Sequence, residues 1–253
     1  MSFKSKTVLV TGAAGGSGAA IAQAFLQEGS YVIASDIIKP AWGTPFEERL
    51  NRVILDVCDE SSVVQLIDSI KKNGRVINVL VNNAGIAIGC PIEEMTLEIW
   101  NKNMTVNATG TFFCTREIVK LLLSESIPGS IINISSIAGK NGFPNAAAYC
   151  ASKSAIIGFT RSLAVELGPK DITINAICPG SVDTPMISKV VDFLSEDSGR
   201  SKQETRKNMM ATIPMRRFQT PEDVASLVLF LSSDGARNIN GESINLDGGV
   251  VRD

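Results

Sequence analysis

A glycine-rich turn near the N-terminus constrains the fold more than any other feature of this 253-residue chain. Residues 6–11 read KTVLVT, a short apolar and β-branched run that is typical of a buried strand. The sequence continues through TGAAGGSG at 11–18 into a helix pattern at 19–28. A strand, a glycine turn and a helix in this order indicate a dinucleotide-binding turn, because glycines let backbone amides approach a pyrophosphate at the positive helix N-terminus.

Strand and helix patterns alternate through the rest of the chain. Further strands are predicted at 31–35, 52–57, 76–81, 130–134, 172–177 and 242–246, and helices at 60–72, 97–106, 108–125, 147–168 and 221–232. Repeated βα units predict an α/β fold with a doubly wound, parallel, Rossmann-like sheet of about seven strands in three layers, α/β/α. The segment 37–50 departs from this pattern, since Pro40, Gly43 and Pro45 interrupt any crossover helix. No linker or repeat divides the sequence, so we expect a single domain over residues 1–253.

Asp36 bears on which nucleotide the turn binds. It ends the second predicted strand, about 20 residues beyond the glycines, where an acidic side chain holds the adenosine ribose hydroxyls. A carboxylate there binds the 2′-OH of NAD and repels the 2′-phosphate of NADP. Ile37 and Ile38 follow it, and Lys39 is the only nearby cation. The sequence therefore favours NAD over NADP as cofactor.

Tyr149 and Lys153 form a second informative group, with Ser136 thirteen positions upstream of the tyrosine. On a helix, residues four apart share one face, so the phenol would lie beside the ammonium. A nearby opposite charge lowers the pKa of an acid by roughly 1–3 units. This would bring a tyrosine from about 10 towards the range that is useful for acid/base catalysis. We also expect Asn145 to cap the helix that carries Tyr149.

Composition excludes several classes of function. The chain contains no histidine, which removes Ser-His-Asp hydrolysis and histidine-based metal sites, so no metal is expected. Its five cysteines are scattered and never form a CxxC pair, as in a protein of the reducing cytosol. A net charge of −2 argues against nucleic-acid binding, which usually requires an excess of basic residues. No signal peptide or apolar run of ~18 residues is present, so we expect a cytoplasmic protein without a membrane partner.

Together these motifs resemble those of the short-chain dehydrogenases/reductases, in the branch of single-domain enzymes of about this length. The likeness covers nearly the whole chain and includes TGAAGGSG at 11–18, Asp36, Asp56, NNAG at 82–85, Asn107, Ser136, YCASK at 149–153, PGSVDT at 179–184 and LDGG at 246–249. The turn also fits the TGxxGxxG pattern of the longer epimerase-like branch, but length, NNAG and Asn107 favour the shorter one. Ser17 stands where the family usually has an aliphatic residue.

The resemblance implies a role for each matching residue. Tyr149 would exchange a proton with the substrate oxygen, and Lys153 would lower the Tyr149 pKa and bind the nicotinamide ribose. Ser136 would hold the substrate oxygen, and Asn107 would position a water that links Lys153 to solvent. Besides Tyr149 and Lys153, the cofactor would contact Thr11, Gly12, Gly16, Ser17, Gly18, Asp36, Asp56, Val57, Asn83, Ala84, Gly85, Pro179, Gly180, Val182 and Thr184.

The sequence constrains the substrate less than the cofactor. Residues 181–215 follow the predicted nicotinamide loop, and we expect them to fold over the site as a lid. The predicted substrate contacts, mostly apolar, are Ser136, Ile88, Phe143, Asn145 and Met186. The predicted activity is therefore hydride transfer between NAD and a small secondary alcohol or ketone.

Three alternatives stay open, and an assembly is expected. A 3-oxoacyl-thioester (acyl-carrier-protein) reductase shares most motifs but usually prefers NADPH. A cyclic diol dehydrogenase of the dihydrodihydroxybenzoate type shares PGSVDT and the shortened 37–50 segment. A protein that only senses NAD would keep the nucleotide site alone. Apolar stretches on the helices at 108–125 and 147–168 exceed one face, so by the resemblance we expect a homotetramer or homodimer.

Overall fold

The computed structural model describes residues 3–252, apart from the side chain at position 197, and within them seven strands form one parallel sheet. The strands are β1 (Thr7–Thr11), β2 (Tyr31–Asp36), β3 (Leu50–Ile54), β4 (Val79–Asn82), β5 (Gly129–Ile134), β6 (Ile172–Pro179) and β7 (Ser243–Leu246). Their order is β3-β2-β1-β4-β5-β6-β7, and every neighbouring pair is parallel. The predicted doubly wound, Rossmann-like sheet is confirmed, and its order reverses between β1 and β4.

Helices cover both faces of the sheet. They are α1 (Gly16–Gln27), α2 (Glu60–Lys72), α3 (Leu97–Asn103), α4 (Gly110–Glu125), α5 (Ala147–Leu167), α6 (Pro185–Ser198), α7 (Lys202–Thr212) and α8 (Pro221–Leu231). In β1, Val8 and Val10 face the core that α1 and α8 share, while Leu9 faces the core under α2, α4 and α5. A strand buried on both faces needs apolar residues without polar alternation, and this explains the continuous run in the sequence.

The connection from β2 to β3 differs from the other crossovers. Residues 37–49, all of which the structure describes, contain a 3₁₀ turn at Glu47–Arg49 and no α-helix. Trp42 and Phe46 pack against the core on the α1 side, where a crossover helix would otherwise lie. The prediction of a broken helix in this segment is confirmed.

Helices α3 and α4 are joined into one continuous helix by a π-helical segment, Met104–Thr109. The sequence predicted two helices that meet near residue 107, and the structure replaces the break with a wider turn of helix. Gly110, the first residue of α4, lies against Val57 in the segment after β3, because a Cβ there would lie 2.8 Å from Val57 Cγ2. Single π turns inside α-helices occur frequently at functional sites, and Asn107 lies in this one.

The start of α5 contradicts one expectation. Ala146 occupies the N-cap position without a side-chain capping bond, so the prediction that Asn145 caps this helix is wrong. Asn145 has φ 59°, in the left-handed region that asparagine tolerates better than most residues. It therefore turns the chain into the helix rather than capping it.

The segment after β6 holds α6 and α7 and begins and ends at one place. Val182 forms a parallel bridge with Gln219, so the two ends of the segment are adjacent. The Gln219 N–H donates to Ser181 O at 3.0 Å, and the Asp183 N–H donates to Gln219 O at 2.8 Å. Among residues 3–252, none of the helices is long and apolar enough to cross a membrane.

Candidate active site

The residues predicted to bind the cofactor lie at one edge of the sheet. Thr11, Asp36, Asn82 and Pro179 are the last residues of β1, β2, β4 and β6. The carboxyl ends of parallel strands share an edge, and ligands of doubly wound sheets bind where the strand order reverses. Here that point lies between β1 and β4, directly under the glycine turn.

The glycine turn is bonded to the NNAG segment by a dense set of hydrogen bonds. The Thr11 hydroxyl accepts the Asn83 and Ala84 N–H groups, each at 3.0 Å. The Asn83 side-chain amide donates to the carbonyls of Thr11 and Gly12, also at 3.0 Å. Asn83 therefore holds the turn through its side chain, in addition to lying beside the predicted cofactor position.

Two glycines are required by the space around them. Gly12 has φ 66°, and a Cβ there would lie 2.8 Å from the Ala84 Cα. A Cβ at Gly18 would lie 2.1 Å from the Gly12 carbonyl oxygen, well inside any real contact. The backbone of the turn and the first turn of α1 consequently touch each other without intervening side chains.

The N-terminus of α1 fits a pyrophosphate. Its N-cap is Gly15, which makes no side-chain capping bond, and the first turn of Gly16–Gln27 holds no acidic side chain. Backbone N–H groups of a helix N-terminus that lack capping partners bind anions, and the helix dipole favours negative charge at the same place. The residues present therefore fit the phosphate groups of a dinucleotide.

Asp36 is oriented by the same turn. Its carboxylate oxygen Oδ2 accepts the Ala14 N–H at 2.9 Å, while Ile37 and Ile38 beside it are 66% and 65% exposed. The predicted adenine contacts follow β3: Asp56 is exposed and accepts the Cys58 N–H at 2.9 Å, and Val57 is buried. The carboxylate of Asp36 thus lies at the end of β2 with apolar neighbours.

The predicted catalytic side chains meet at the start of α5. A hydrogen bond joins the side chains of Ser136 and Tyr149. Lys153, one turn further along α5, is buried, and its Nζ lies 5.8 Å from the centroid of the Tyr149 ring. The same Nζ donates to the Ile134 carbonyl at 2.9 Å, at the end of β5. The structure therefore brings three of the four predicted catalytic residues into direct proximity.

Burial is the largest influence on the pKa values of Tyr149 and Lys153. It lowers the pKa of Lys153 from 10.5 to about 8. It also raises the pKa of Tyr149 above 10.0, while the hydrogen bond with Ser136 acts in the opposite direction. Desolvation of the phenolate outweighs the other effects on the Tyr149 pKa in this structure, and the role of Lys153 in lowering that pKa stays a prediction.

Asn107, the fourth predicted catalytic residue, is completely buried and holds the segment after NNAG. Its Oδ1 accepts the Ile86 N–H, and its Nδ2 donates to the Ile86 carbonyl, both at 2.9 Å. Nδ2 also donates to the Ser152 hydroxyl at 2.9 Å, and that hydroxyl donates to the Tyr149 carbonyl at 2.7 Å. Asn107 is thereby linked to the helix that carries Tyr149 and Lys153.

Two polar residues that are bonded to the candidate site, Asn103 and Ser152, were not predicted from the sequence. Asn103, four residues before Asn107, bonds Ile88 in the same two-sided way, at 3.0 Å and 3.3 Å. Ser152 connects Asn107 to α5, as described above. The signal for Asn103 is present in the sequence as an i, i+4 pair of asparagines, which share one face of a helix.

Gly85, at the end of the NNAG segment, lies between the predicted cofactor contacts and the predicted catalytic side chains. A Cβ on this residue would lie 3.2 Å from Asn107 Oδ1 and 3.3 Å from Lys153 Nζ. The backbone of the NNAG segment therefore touches both polar groups directly, and any side chain at position 85 would push them apart.

The predicted nicotinamide loop lies on the other side of the candidate site. The Gly180 N–H donates to the Leu246 carbonyl at 3.0 Å, and Val182 is held by its bridge to Gln219. A Cβ on Gly16 would lie 3.4 Å from Thr184 Cγ2, so Thr184 lies against the glycine turn, where Ser17 is the second residue of α1.

The predicted substrate contacts lie on three different segments. Ile88 follows NNAG, Phe143 and Asn145 precede α5, and Met186 lies in α6. Phe143 and Met186 are 43% and 44% exposed. The first two segments approach closely, because a Cβ on Gly89 would lie 2.4 Å from the Asn145 carbonyl oxygen. In the part of the chain that the structure describes, no three His, Cys, Asp or Glu side chains cluster as metal ligands do.

Comparison with known proteins agrees with this geometry. A family model described as enoyl-(acyl carrier protein) reductase matches residues 12–251, nearly the entire chain. The chain belongs to the short-chain dehydrogenase/reductase family. As a member of this family the protein is an oxidoreductase that uses a nicotinamide cofactor, and the resemblance in its motifs is confirmed.

Relatives of this dehydrogenase/reductase have diverse names. It is 36% identical over 260 residues to the 3-oxoacyl-[acyl-carrier-protein] reductase FabG of Thermotoga maritima, covering 99% of this chain and 100% of that protein. The ligand-free aldohexose dehydrogenase of Thermoplasma acidophilum superposes with a TM-score of 0.90 at 35% identity, covering 98% of this chain and 94% of that one. A variant of the actinorhodin polyketide ketoreductase, solved with NADPH, also gives 0.90 at 32% identity, covering 99% of each chain.

Proposed function

We propose that the protein transfers a hydride between NAD and a small secondary alcohol or ketone, with Tyr149 as the proton donor and acceptor. The observation that carries this proposal is the hydrogen bond between Ser136 and Tyr149 beside the buried Lys153. This group lies at the same sheet edge as the glycine turn, and Gly85 connects the two halves. A proton-transfer group and a nucleotide cradle in contact support oxidation and reduction at a carbon that bears oxygen.

Each side chain has a defined task in this mechanism. The bound nicotinamide supplies or accepts the hydride. Tyr149 accepts the hydroxyl proton of an alcohol, or returns it to a ketone oxygen, and Ser136 orients that oxygen by hydrogen bonding. With a pKa of about 8, Lys153 is mostly charged at pH 7, and its charge favours the phenolate whenever Tyr149 releases its proton. Asn107 and Ser152 keep α5 aligned with the NNAG segment.

Preference for NAD rests on Asp36 and its neighbours. The carboxylate lies at the end of β2, and exposed Ile37 and Ile38 offer no cation to a 2′-phosphate. One structural neighbour was solved with NADPH, so the preference needs a direct test. Calorimetric titration should give a lower Kd for NAD than for NADP. Equal dissociation constants would remove this part of the proposal.

The segment with α6 and α7 is proposed as the lid over the substrate. Both of its ends meet at the bridge between Val182 and Gln219, so it can swing on a single hinge without moving the sheet. Arg206 on α7 donates to Asp183 at 2.5 Å and stacks over Phe218 at 4.7 Å, so it contacts the chain at both ends of the segment. Exposed Met186 on the same segment supports a partly apolar substrate.

A second candidate is reduction of a 3-oxoacyl thioester. It is favoured by the 36% identity to the Thermotoga maritima enzyme of that name over the full length of both chains. This activity usually goes with NADPH and with basic surface for an acyl carrier. Lys120, an exposed cation on α4, is paired with Glu117 at 2.9 Å. Asp36 and this pairing make it the second choice.

The test is a substrate panel with NAD and NADP: secondary alcohols, polyols, cyclic diols and 3-hydroxyacyl thioesters, followed by absorbance at the nicotinamide band. The only two tyrosines give a matched pair of variants. Tyr149→Phe should lose about 10²–10⁴-fold in kcat and keep NAD binding, since it removes only the proton-transfer group. Tyr31→Phe, at the start of β2 and stacked on Arg75, should keep turnover.

The panel also separates the alternatives. Turnover of thioesters alone, with NADPH, would select the acyl reductase. Turnover of cyclic diols alone would select the diol dehydrogenase. No turnover of any class, with NAD still bound, would replace the proposed activity by NAD sensing.

We further propose that the protein assembles through α4 and α5 into a homotetramer or homodimer. Phe112 and Leu123 on α4 are 38% and 45% exposed, and Val165 on α5 is 81% exposed. Apolar side chains exposed together on neighbouring helices mark an interaction surface. Light scattering at micromolar concentration should give a multiple of the mass of one chain, and a monomeric mass would overturn this proposal.

A further inference from the structure

Trp42 connects the irregular segment between β2 and β3 to the glycine turn. Its indole Nε1 donates a hydrogen bond of 2.7 Å to the Ala13 carbonyl. The ring is partly buried against the core on the α1 side, together with Phe46 of the same segment. A segment that lacks a crossover helix therefore supplies a side chain to the nucleotide site instead.

The bond from Trp42 and the bond to Asp36 act on one peptide group. The Ala13 carbonyl accepts from Trp42, and the Ala14 N–H of the same peptide donates to Asp36 Oδ2 at 2.9 Å. The preceding N–H, that of Ala13, donates to the Ser35 carbonyl at 2.9 Å. Because a peptide group is planar, fixing its oxygen also fixes the direction of its N–H. Trp42 thus determines where the hydrogen bond to the Asp36 carboxylate points.

Trp42 is itself contacted by Arg52 of β3, which also pairs with Glu47 in the preceding 3₁₀ turn. Arg52 donates to the Trp42 carbonyl at 2.7 Å, and its guanidinium lies 5.5 Å from the indole ring. The same guanidinium makes two hydrogen bonds to the Glu47 carboxylate, at 2.6 Å and 2.8 Å. The Arg52 side chain is only 19% exposed, whereas the Glu47 side chain is 55% exposed, so the two-bond pair lies at the surface with its arginine largely covered. Trp42 is therefore held by a residue of the sheet as well as by its own loop.

We propose that Trp42 is a positioning residue that sets the affinity for NAD and the discrimination against NADP, through the peptide that orients Asp36. This inference rests on the proposed function, in which Asp36 binds the adenosine ribose. Without the indole N–H, the peptide is free to rotate and the carboxylate gains other rotamers. The ribose diol of NAD must then order the carboxylate on binding, whereas the 2′-phosphate of NADP meets a carboxylate that can turn away.

The test compares Trp42→Phe with Phe46→Leu. Trp42→Phe keeps an aromatic ring beside Arg52 and removes the N–H, whereas Phe46→Leu alters packing in the same segment and removes no hydrogen bond to the turn. By titration calorimetry, Trp42→Phe should raise the Kd for NAD by about 2- to 10-fold, the range for one hydrogen bond. Its Kd for NADP should stay the same or fall, and kcat at saturating NAD should be unchanged. Phe46→Leu should leave the ratio of the two constants as in the wild type.

A second readout uses the protein without nucleotide. Hydrogen exchange of the Ala14 amide should accelerate in Trp42→Phe and stay at the wild-type rate in Phe46→Leu, because only the first variant frees the peptide. Glu47→Gln, which loosens Arg52 and leaves the indole in place, should shift both readouts in the same direction by a smaller amount. This variant provides the test if Trp42→Phe does not fold.

The outcomes are separable from those of the proposed function. If the wild type binds neither nucleotide, the proposed function fails. If the wild type prefers NAD and Trp42→Phe binds it equally well, only this inference fails. An equal rise in the Kd for NAD and for NADP would also overturn this inference. So would the same change in the ratio of the two constants in Phe46→Leu. Either result would indicate a loosened loop and not the loss of an oriented carboxylate.

Discussion

Replacing Lys153 by methionine should stabilise the protein at neutral pH, although it removes a proposed catalytic group. Lys153 is 4% exposed, and burial lowers its pKa from 10.5 to about 8. Below pH 8 the lysine is charged in both the folded and the unfolded chain, so the full cost of desolvating the ammonium opposes folding. Between about pH 8 and 10.5 the folded protein releases the proton first, and stability rises with pH. Methionine is similar in length and carries no charge.

The magnitude follows from this shift. Each pKa unit corresponds to about 1.4 kcal/mol, so the buried charge costs about 3 kcal/mol at pH 7. The variant also loses the part-buried hydrogen bond from Lys153 to the Ile134 carbonyl, which costs about 1 kcal/mol. Lys153→Met should therefore be more stable than the wild type by about 2 kcal/mol at pH 7. By pH 10.5 only the lost hydrogen bond remains, and the variant should be about 1 kcal/mol less stable.

The assay is urea unfolding without nucleotide at pH 7, 8.5 and 10.5, at one protein concentration so that assembly contributes equally. Lys170→Met, at an exposed lysine, is the matched control and should show no such reversal. A Lys153→Met variant that is less stable than the wild type at pH 7 would refute the reasoning. A stability difference that stays constant across these pH values would refute it equally, since the argument depends on titration of a desolvated ammonium.

Two further substitutions test the glycine turn and the proposed lid. Gly18→Ala places a Cβ 2.1 Å from the Gly12 carbonyl oxygen and should weaken NAD binding by about tenfold or more, given the usual 1–3 kcal/mol cost of overpacking. Titration of Gly15→Ala, where a Cβ would meet no described atom within 4 Å, provides its control. Arg206→Met removes the bond to Asp183 and should raise the KM for the alcohol in steady-state kinetics while the Kd for NAD stays unchanged.

The fold was predictable because its main signals are local. Strands buried on both faces produce continuous apolar runs such as KTVLVT, and these runs alternate with helix patterns along the sequence. The start of α5 was not predictable in the same way. Asparagine serves both as an N-cap and in left-handed backbone, and the choice at Asn145 depends on the loop before it. Only the three-dimensional path of residues 141–146 decides between them.

In the candidate site, too, local sequence patterns predicted some features, whereas features that depend on burial or on distant segments were missed. The spacing of Tyr149 and Lys153 identified two side chains that share a helix face. Ser136 could be predicted as a site residue because it comes directly after the predicted fifth strand. Their pKa directions did not follow, because spacing carries no information about burial. Asn103 and Trp42 were missed for a related reason: each acts on a backbone carbonyl 15 or more residues away along the chain. Hydrogen bonds between distant segments leave no periodic signal.

The two halves of the site are built differently, and this difference bears on substrate choice. The cofactor half consists of backbone groups in direct contact, at Gly12, Gly18 and Gly85, where no side chain fits. The proposed substrate half contains exposed side chains, Phe143 and Met186, on separate segments. A substitution in the first half must disturb the turn itself, whereas one in the second half alters a surface and leaves the sheet intact. Relatives named for acyl, sugar and polyketide substrates are therefore compatible with one arrangement of the cofactor site. We expect substitutions in the segments before α5 and around α6 to change the substrate preference of this protein.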